Sequence, residues 1–324
     1  MADDTITSRP TVPVERVEID LRTVTEGLRF PEGPVAMPDG SVALVEIARG
    51  TLTRVDVATG DTRVVAECGG GPNGAAMGPD GRMYLADNGA FFTWFTDEAS
   101  GITIPGPTPD EHVGGAIAAV DLMNGTTDLV YTAIDGVRLV APNDLVADGH
   151  GGFWFTDHGV QHGNHPGRPG LCYAKADGSG IWGRAFDCDA NNGVGLSPDG
   201  SVVYAAETHS GRLFAWDVVA PGELDPDSKR LVFAAAEGQL FDSLAVDGDG
   251  WICVATIGDG GITAVAPDGS SAQLIPTGDA LTTNICFGDR AGADPELRTA
   301  YVTCSSSGRL IELTWPRPGL RLAH

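Results

Sequence analysis

The stretch NNGVGLSPDGSVVYAAE, residues 191–207, sets an amide, Asn192, at the head of a small, apolar run. A Pro-Asp-Gly turn follows, and a second apolar run ends on an acid, Glu207. Two apolar runs around such a turn read as a β-hairpin. The same phrase recurs as PEGPVAMPDGSVALVE from Pro31, PNGAAMGPDGRMYLAD from Pro72, PNDLVADGHGGFWFTD from Pro142 and FDSLAVDGDGWICVAT from Phe241. A sixth copy, TNICFGDRAGADPELRTAYVTC from Thr283, has a longer turn.

The residues heading the six copies are Glu32, Asn73, Asn143, Asn192, Asp242 and Asn284, at successive spacings of 41, 70, 49, 50 and 42 residues. That period suits a four-stranded propeller blade, and six blades account for nearly all of the 324 residues. Helical periodicity is scarce, whereas short apolar runs between Gly, Asp and Pro turns are everywhere. The chain therefore reads as all-β, a six-bladed β-propeller forming one domain over residues 15–324 after a flexible tail of residues 1–14. GTLTRVDVATGDTRVVAEC supplies two outer strands of the first blade, and GRLFAWDVV and GGITAVAPDGSSAQLI serve later ones. GRLIELTW near the C-terminus needs a neighbour, which VERVEIDLRTV near the N-terminus can provide, closing the ring. The 70-residue spacing holds an insertion over about 89–115, aromatic first and then rich in Pro and Gly, expected to lie over one mouth of the channel.

Composition narrows the partners. A net charge of −24 argues against nucleic acid and anionic membranes. No run approaches 18 apolar residues, and the N-terminal residues lack the pattern of a signal peptide, so a cytoplasmic location is expected. The six scattered cysteines show no C-x-x-C spacing and read as reduced core residues. A G-x-S-x-G nucleophile elbow is missing, and GGGPNG lacks the Lys-Ser/Thr of a phosphate loop.

The polar heads carry the chemistry. In a propeller the first strand of each blade lines the axis, so all six heads are expected at the same end of one channel. Position +14 on the second strand (Glu46, Asp87, Asp157 and Thr256, with Glu207 one step on) is expected beside each head. A polar residue at a strand edge is ordinary taken singly. Six in register, two of them the carboxylates Glu32 and Asp242, would repel without a counter-ion. A hard divalent cation with oxygen ligands answers this, Ca²⁺ first, with Zn²⁺, Mn²⁺ and Mg²⁺ also accommodated.

RFPEGPVAMPDGSVALVE, GGPNGAAMGPDGRMYLADNG, PNDLVADGHGGFWFTD, YAAETHSGRLFAWD and FDSLAVDGDGWICVATIGDGGI together resemble the senescence-marker-protein/gluconolactonase/luciferin-regenerating-enzyme family over about residues 20–315. The resemblance implies a six-bladed propeller with a channel metal and, in many members, lactone hydrolysis. By it, Glu32, Asn192 and Asp242 match metal ligands, Asn143 matches an asparagine that meets substrate or metal, and Asn73 is a further channel position. Two departures stand out. Ser243 replaces the glycine that usually follows the aspartate, and Ala141 stands where sugar-lactone members carry an arginine.

The expected function is a metal-dependent hydrolase opening a lactone to a hydroxy acid. Asp242 is the general base (or, as the lesser option, the nucleophile), and Asn143, Asn73 and His158 meet the substrate. His158, His162 and His165 share the loop after the third blade's second strand, and His209 follows another such strand; any of them is placed to protonate a leaving alkoxide. Phe91, Phe92, Trp94 and Phe95 either pack under the insertion or wall the pocket. The same metal acting on aryl esters or phosphotriesters, and a non-catalytic binding propeller, are the competing readings. Oligomeric state is left open.

Overall fold

The computed structural model describes residues 12–159 and 170–322. It is a six-bladed β-propeller, each blade built on four antiparallel strands running outward from the channel. The inner strands are Pro31–Ala36, Pro72–Met77, Pro142–Ala147, Asn191–Leu196, Leu240–Val246 and Thr282–Gly288, in blades I to VI. Each pairs with a second strand that returns through the turn seen in the repeat, such as Val42–Glu46 in blade I and Val202–Glu207 in blade IV.

Second and third strands are buried on both faces, which is why they read as continuous apolar runs rather than alternating ones. Their side chains pack between blades in six clusters, one for each neighbouring pair around the ring. The pair I–VI is included: Val42, Leu44 and Val55 meet Tyr301 and Leu310. The ring is closed by packing as well as by strand pairing.

The N-terminal segment divides its work. Leu21–Thr25 is the outer strand of blade VI, antiparallel to Arg309–Thr314, as the closing role requires. Val14–Arg16 pairs elsewhere, parallel to Ala272–Pro276, as a fifth strand on blade V. Of the expected tail, residues 1–11 lie outside the described residues, and Val14 already begins a strand. In blade IV, Arg212–Ala220 finds its outer neighbour at Arg230–Ala234, beyond a short connection.

The segment between Asp87 and Ala116 carries a small hairpin, Trp94–Thr96 with Thr103–Pro105. Thr103 N donates to Ser306 O at 2.8 Å, and the Trp94 ring lies 4.9 Å from Phe30. The insertion of blade II is thus fastened to blade VI and to the entry of blade I. All six cysteines are free thiols. Among the described residues no helix is long and apolar enough to cross a membrane.

Candidate active site

A local irregularity aims the heads. In every blade the ladder between first and second strands shifts register at the head: between Glu32 and Val35, Pro72 and Gly74, Pro142 and Leu145, Asn191 and Val194, Phe241 and Leu244, and Thr282 and Asn284. A bulge adds a residue to one strand and turns its side chain out of the regular pleat. The inner strands also crowd each other around the axis. A Cβ on Gly33 would lie 2.7 Å from Ala75 N, one on Gly74 2.6 Å from Asn143 O, and one on Gly193 2.6 Å from Leu244 N. Blades I, II and IV therefore need glycine directly after the head.

The bulges correct the expectation for position +14. Glu46, Asp87, Asp157 and Glu207 pair with Pro31, Pro72, Pro142 and Asn191, one residue before the head, and they do not join the channel cluster. They accept backbone N–H groups of the loops leading into the inner strands, from Arg29 (2.7 Å), Gly71 (2.8 Å), Val140 and Ala141 (2.8 and 2.9 Å) and Asp189 (3.2 Å).

Five heads, Glu32, Asn73, Asn143, Asn192 and Asp242, line one cavity of about 510 Å³. The sixth departs from expectation. Asn284 donates Nδ2–H to Glu32 Oε2 at 2.7 Å, accepts Ile285 N–H through Oδ1, and lines a second chamber further along the channel. Asp144 lines that chamber too, and it is the residue the sequence reading missed. It stands where three blades carry glycine, and that position, directly after a head, was the sign that could have found it. Its carboxylate accepts Leu145 N at 2.9 Å and Val194 N at 3.3 Å, linking blades III and IV.

Three carboxylates therefore share the channel. Burial, then repulsion from Asp242 and Asp144, pushes Glu32 well above the carboxylate range. Burial pushes Asp242 up to about 7, partly offset by hydrogen bonds from the Asn192 side chain and Ser243 N. Burial likewise pushes Asp144 up to about 7. Ser243 Oγ donates to Asn192 Oδ1 at 3.3 Å, and Asn192 Nδ2 donates to Thr208 Oγ1 at 3.0 Å, so the serine that replaces a glycine orients the neighbouring amide.

Two oxygens stay unanswered. Glu32 Oε1 and Asn143 Oδ1 are buried and have no hydrogen-bond donor among the described residues. A buried acceptor without a donor costs about 1–3 kcal/mol, more when charged. Two such oxygens beside mutually repelling carboxylates fit a hard cation. Among the described residues no three His, Cys, Asp or Glu side chains converge at metal-binding spacing, so such an ion would depend on two carboxylates and amide oxygens.

Around the rim, His158 is half-buried, its ring 6.0 Å from Phe91 and 5.7 Å from His209. Burial, then the charge of His209, lowers its pKa to about 4, so it is neutral at pH 7. His209 Nδ1 lies 3.6 Å from Asp189 Oδ1, and all three residues line the cavity. His162 and His165 lie outside the described residues. Of the aromatics, Phe91 and Phe92 wall the cavity, Trp94 packs on Phe30, and Phe95 faces solvent.

Residues 30–306 match the model of the SMP-30/gluconolactonase/LRE-like region. A gluconolactonase of Zymomonas mobilis is 23% identical over 302 residues, covering 85% of this chain and 77% of the relative. The lactonase drp35 of Staphylococcus haemolyticus is 26% identical over 267 residues, covering 78% and 73%. Among solved structures, a gluconolactonase from Xanthomonas campestris superposes with a TM-score of 0.71 at 22% identity, covering 95% of this chain and 99% of its own. A calcium-binding regucalcin from Agrobacterium tumefaciens gives 0.70 at 18% identity, covering 96% and 100%. With the family model spanning most of its length, this chain belongs to the SMP-30/gluconolactonase/LRE-like family.

Proposed function

We propose that this protein is a divalent-cation-dependent hydrolase that opens lactones to hydroxy acids. The observation that carries the reading is the pair of unanswered oxygens, Glu32 Oε1 and Asn143 Oδ1, beside Asp242 at a cavity large enough for a small substrate. Relatives named gluconolactonase and lactonase, and a calcium-binding structural neighbour, support it.

Glu32, Asn143, Asn192 and Asp242 would hold the ion, with Ca²⁺ favoured by an all-oxygen donor set. When bound, it neutralises the two carboxylates and offers a Lewis acid to the lactone carbonyl. Asp242 takes the proton of the attacking water as that oxygen adds to the carbonyl carbon. Collapse of the tetrahedral centre breaks the ring C–O bond, and the leaving alkoxide receives a proton from His209, which Asp189 orients. Asn73 and neutral His158 hydrogen-bond the substrate without adding charge.

The test is hydrolysis of a lactone panel followed with a pH indicator, on chelator-stripped protein and again after Ca²⁺ is restored. Turnover that disappears on stripping and returns with the ion is the expected result. Turnover indifferent to stripping would overturn the cation's role, and no turnover of any lactone would overturn the reading as a whole.

A further inference from the structure

The cavity has two unlike halves. Its floor is the polar ring. Its walls are apolar: Phe30, Ile47, Phe91, Phe92, Ile257 and Leu281, with the insertion's Pro105 and Pro107 over them. We infer that the preferred substrate is an uncharged lactone bearing an apolar alkyl or aryl substituent, and that Phe92 is the residue that selects it. This rests on the lactone-hydrolase reading and says which lactones.

Size is the first argument. A dry cavity of about 150 Å³ holds a benzene ring. At about 510 Å³, this one leaves room beyond a five- or six-membered ring seated on the polar floor. A substituent on the ring carbon next to the ring oxygen would extend along the aromatic wall.

Chemistry is the second. Each hydroxyl of a polyol lactone needs a partner when water is excluded, and an unmatched one costs free energy. The wall offers carbon instead. Phe91 packs on Val140 and on Ala141, which is 2% exposed, and stands edge-on to Phe92 at 4.9 Å. Phe92 in turn lies 5.8 Å from Trp94, whose ring rests on Phe30. These side chains fix one another, and the hairpin that presents them is tied down through Thr103. Phe92 is partly exposed within this frame, so its face is available to a ligand.

Charge is the third. Among the described residues lining the cavity none is Lys or Arg, whereas Glu32, Asp189 and Asp242 are all acids. An anionic substituent on the lactone would meet no basic Lys or Arg side chain on these walls.

The experiment compares kcat/KM for δ-valerolactone, δ-decalactone, dihydrocoumarin and glucono-δ-lactone on cation-loaded enzyme. The alkyl and aromatic lactones should exceed both others at least about 10-fold. Phe92→Ala should reduce the δ-decalactone to δ-valerolactone preference about 10-fold, mostly through KM, and Phe92→Leu should restore most of it. Preference for glucono-δ-lactone, or an equal loss on every lactone in Phe92→Ala, overturns the inference while leaving the hydrolase reading intact. Should no lactone turn over, binding of the δ-lactam bearing the same pentyl chain, followed by tryptophan fluorescence, tests the wall independently. Equal affinity for that lactam in wild type and Phe92→Ala, both folded by thermal melting, would overturn the inference.

Discussion

Two rings of acids run through this propeller, drawn from the same repeat and treated in opposite ways by the fold. The second-strand acids Glu46, Asp87, Asp157 and Glu207 each receive backbone N–H groups from the loop that delivers a head. Asp157 receives three, from Val140, Ala141 and Gly159. The channel acids Glu32 and Asp242 are equally buried, yet Glu32 keeps an oxygen with no donor among the described residues. Burial raises the pKa of Asp87 and Asp157 too, but their amide donors pull it back. Amide donors favour the charged form of a carboxylate, whereas a neighbouring carboxylate disfavours it. Among the described residues, one ring is therefore answered by protein donors, and the other keeps an acceptor oxygen unanswered. The first ring braces the loops that deliver the heads, and the second is the one the proposed chemistry uses.

The strongest attempt to break this contrast is Asp242→Ala. It should lower kcat/KM on the order of 10³-fold, the range for loss of a general base, with the melting temperature of the cation-free protein held or raised because a repelling carboxylate is gone. A loss under about 10-fold would show that Asp242 is not the base.

Cation removal should show the difference directly in stability. At about 100 times its dissociation constant, Ca²⁺ should stabilise the protein by about 2.7 kcal/mol, read as a higher melting temperature. The effect should depend on pH with a definite sign. Asp144 and Asp242 have folded pKa values raised to about 7, against about 4 in the unfolded chain. Their contribution to the stability of cation-free protein is fully present below about pH 4 and is lost as pH rises through about 7. The Ca²⁺-induced rise should therefore be small at pH 5 and largest near pH 8. A gain independent of pH would place the ion away from these carboxylates.

Asp87→Ala attacks the first ring. It leaves the Gly71 and Gly89 amides without their acceptor and should cost about 2–3 kcal/mol of stability by chemical denaturation. Folded protein should keep activity within about 3-fold, the reverse of Asp242→Ala. The smallest effect expected is that of Ser243→Gly, which removes one hydrogen bond from Ser243 Oγ to Asn192 Oδ1. Calorimetric titration should find Ca²⁺ affinity lowered by about 10-fold, the low end of the range for groups that orient metal ligands. No change would remove Ser243 from any orienting role.

Much of this architecture was legible in the chain. The Pro-Asp-Gly turns and apolar runs depend on local backbone preference and side-chain burial, both written residue by residue, so blade number, inner strands and the closing role of Leu21–Thr25 could be read directly. The heads Glu32, Asn73, Asn143, Asn192 and Asp242 were found because the repeat keeps them in register. Asp144 was missed because the residue after a head was read as part of the apolar strand, and Asn284 was expected with its fellows although it turns to serve Glu32.

What the sequence determined by itself was periodic: how many blades, which strand lies innermost, and which positions are polar. What only the tertiary structure decided was which polar positions meet. The bulge at each head moves the partner acids by one residue, and a one-residue shift carries a side chain to the other face of a sheet. Ring closure then sets Glu32 of blade I in the same channel as Asp144 of blade III and Asp242 of blade V, far apart in the chain and close enough to repel. Turns and strands are local and repeat with the sequence, whereas charge repulsion acts across space and exists only once the ring has closed.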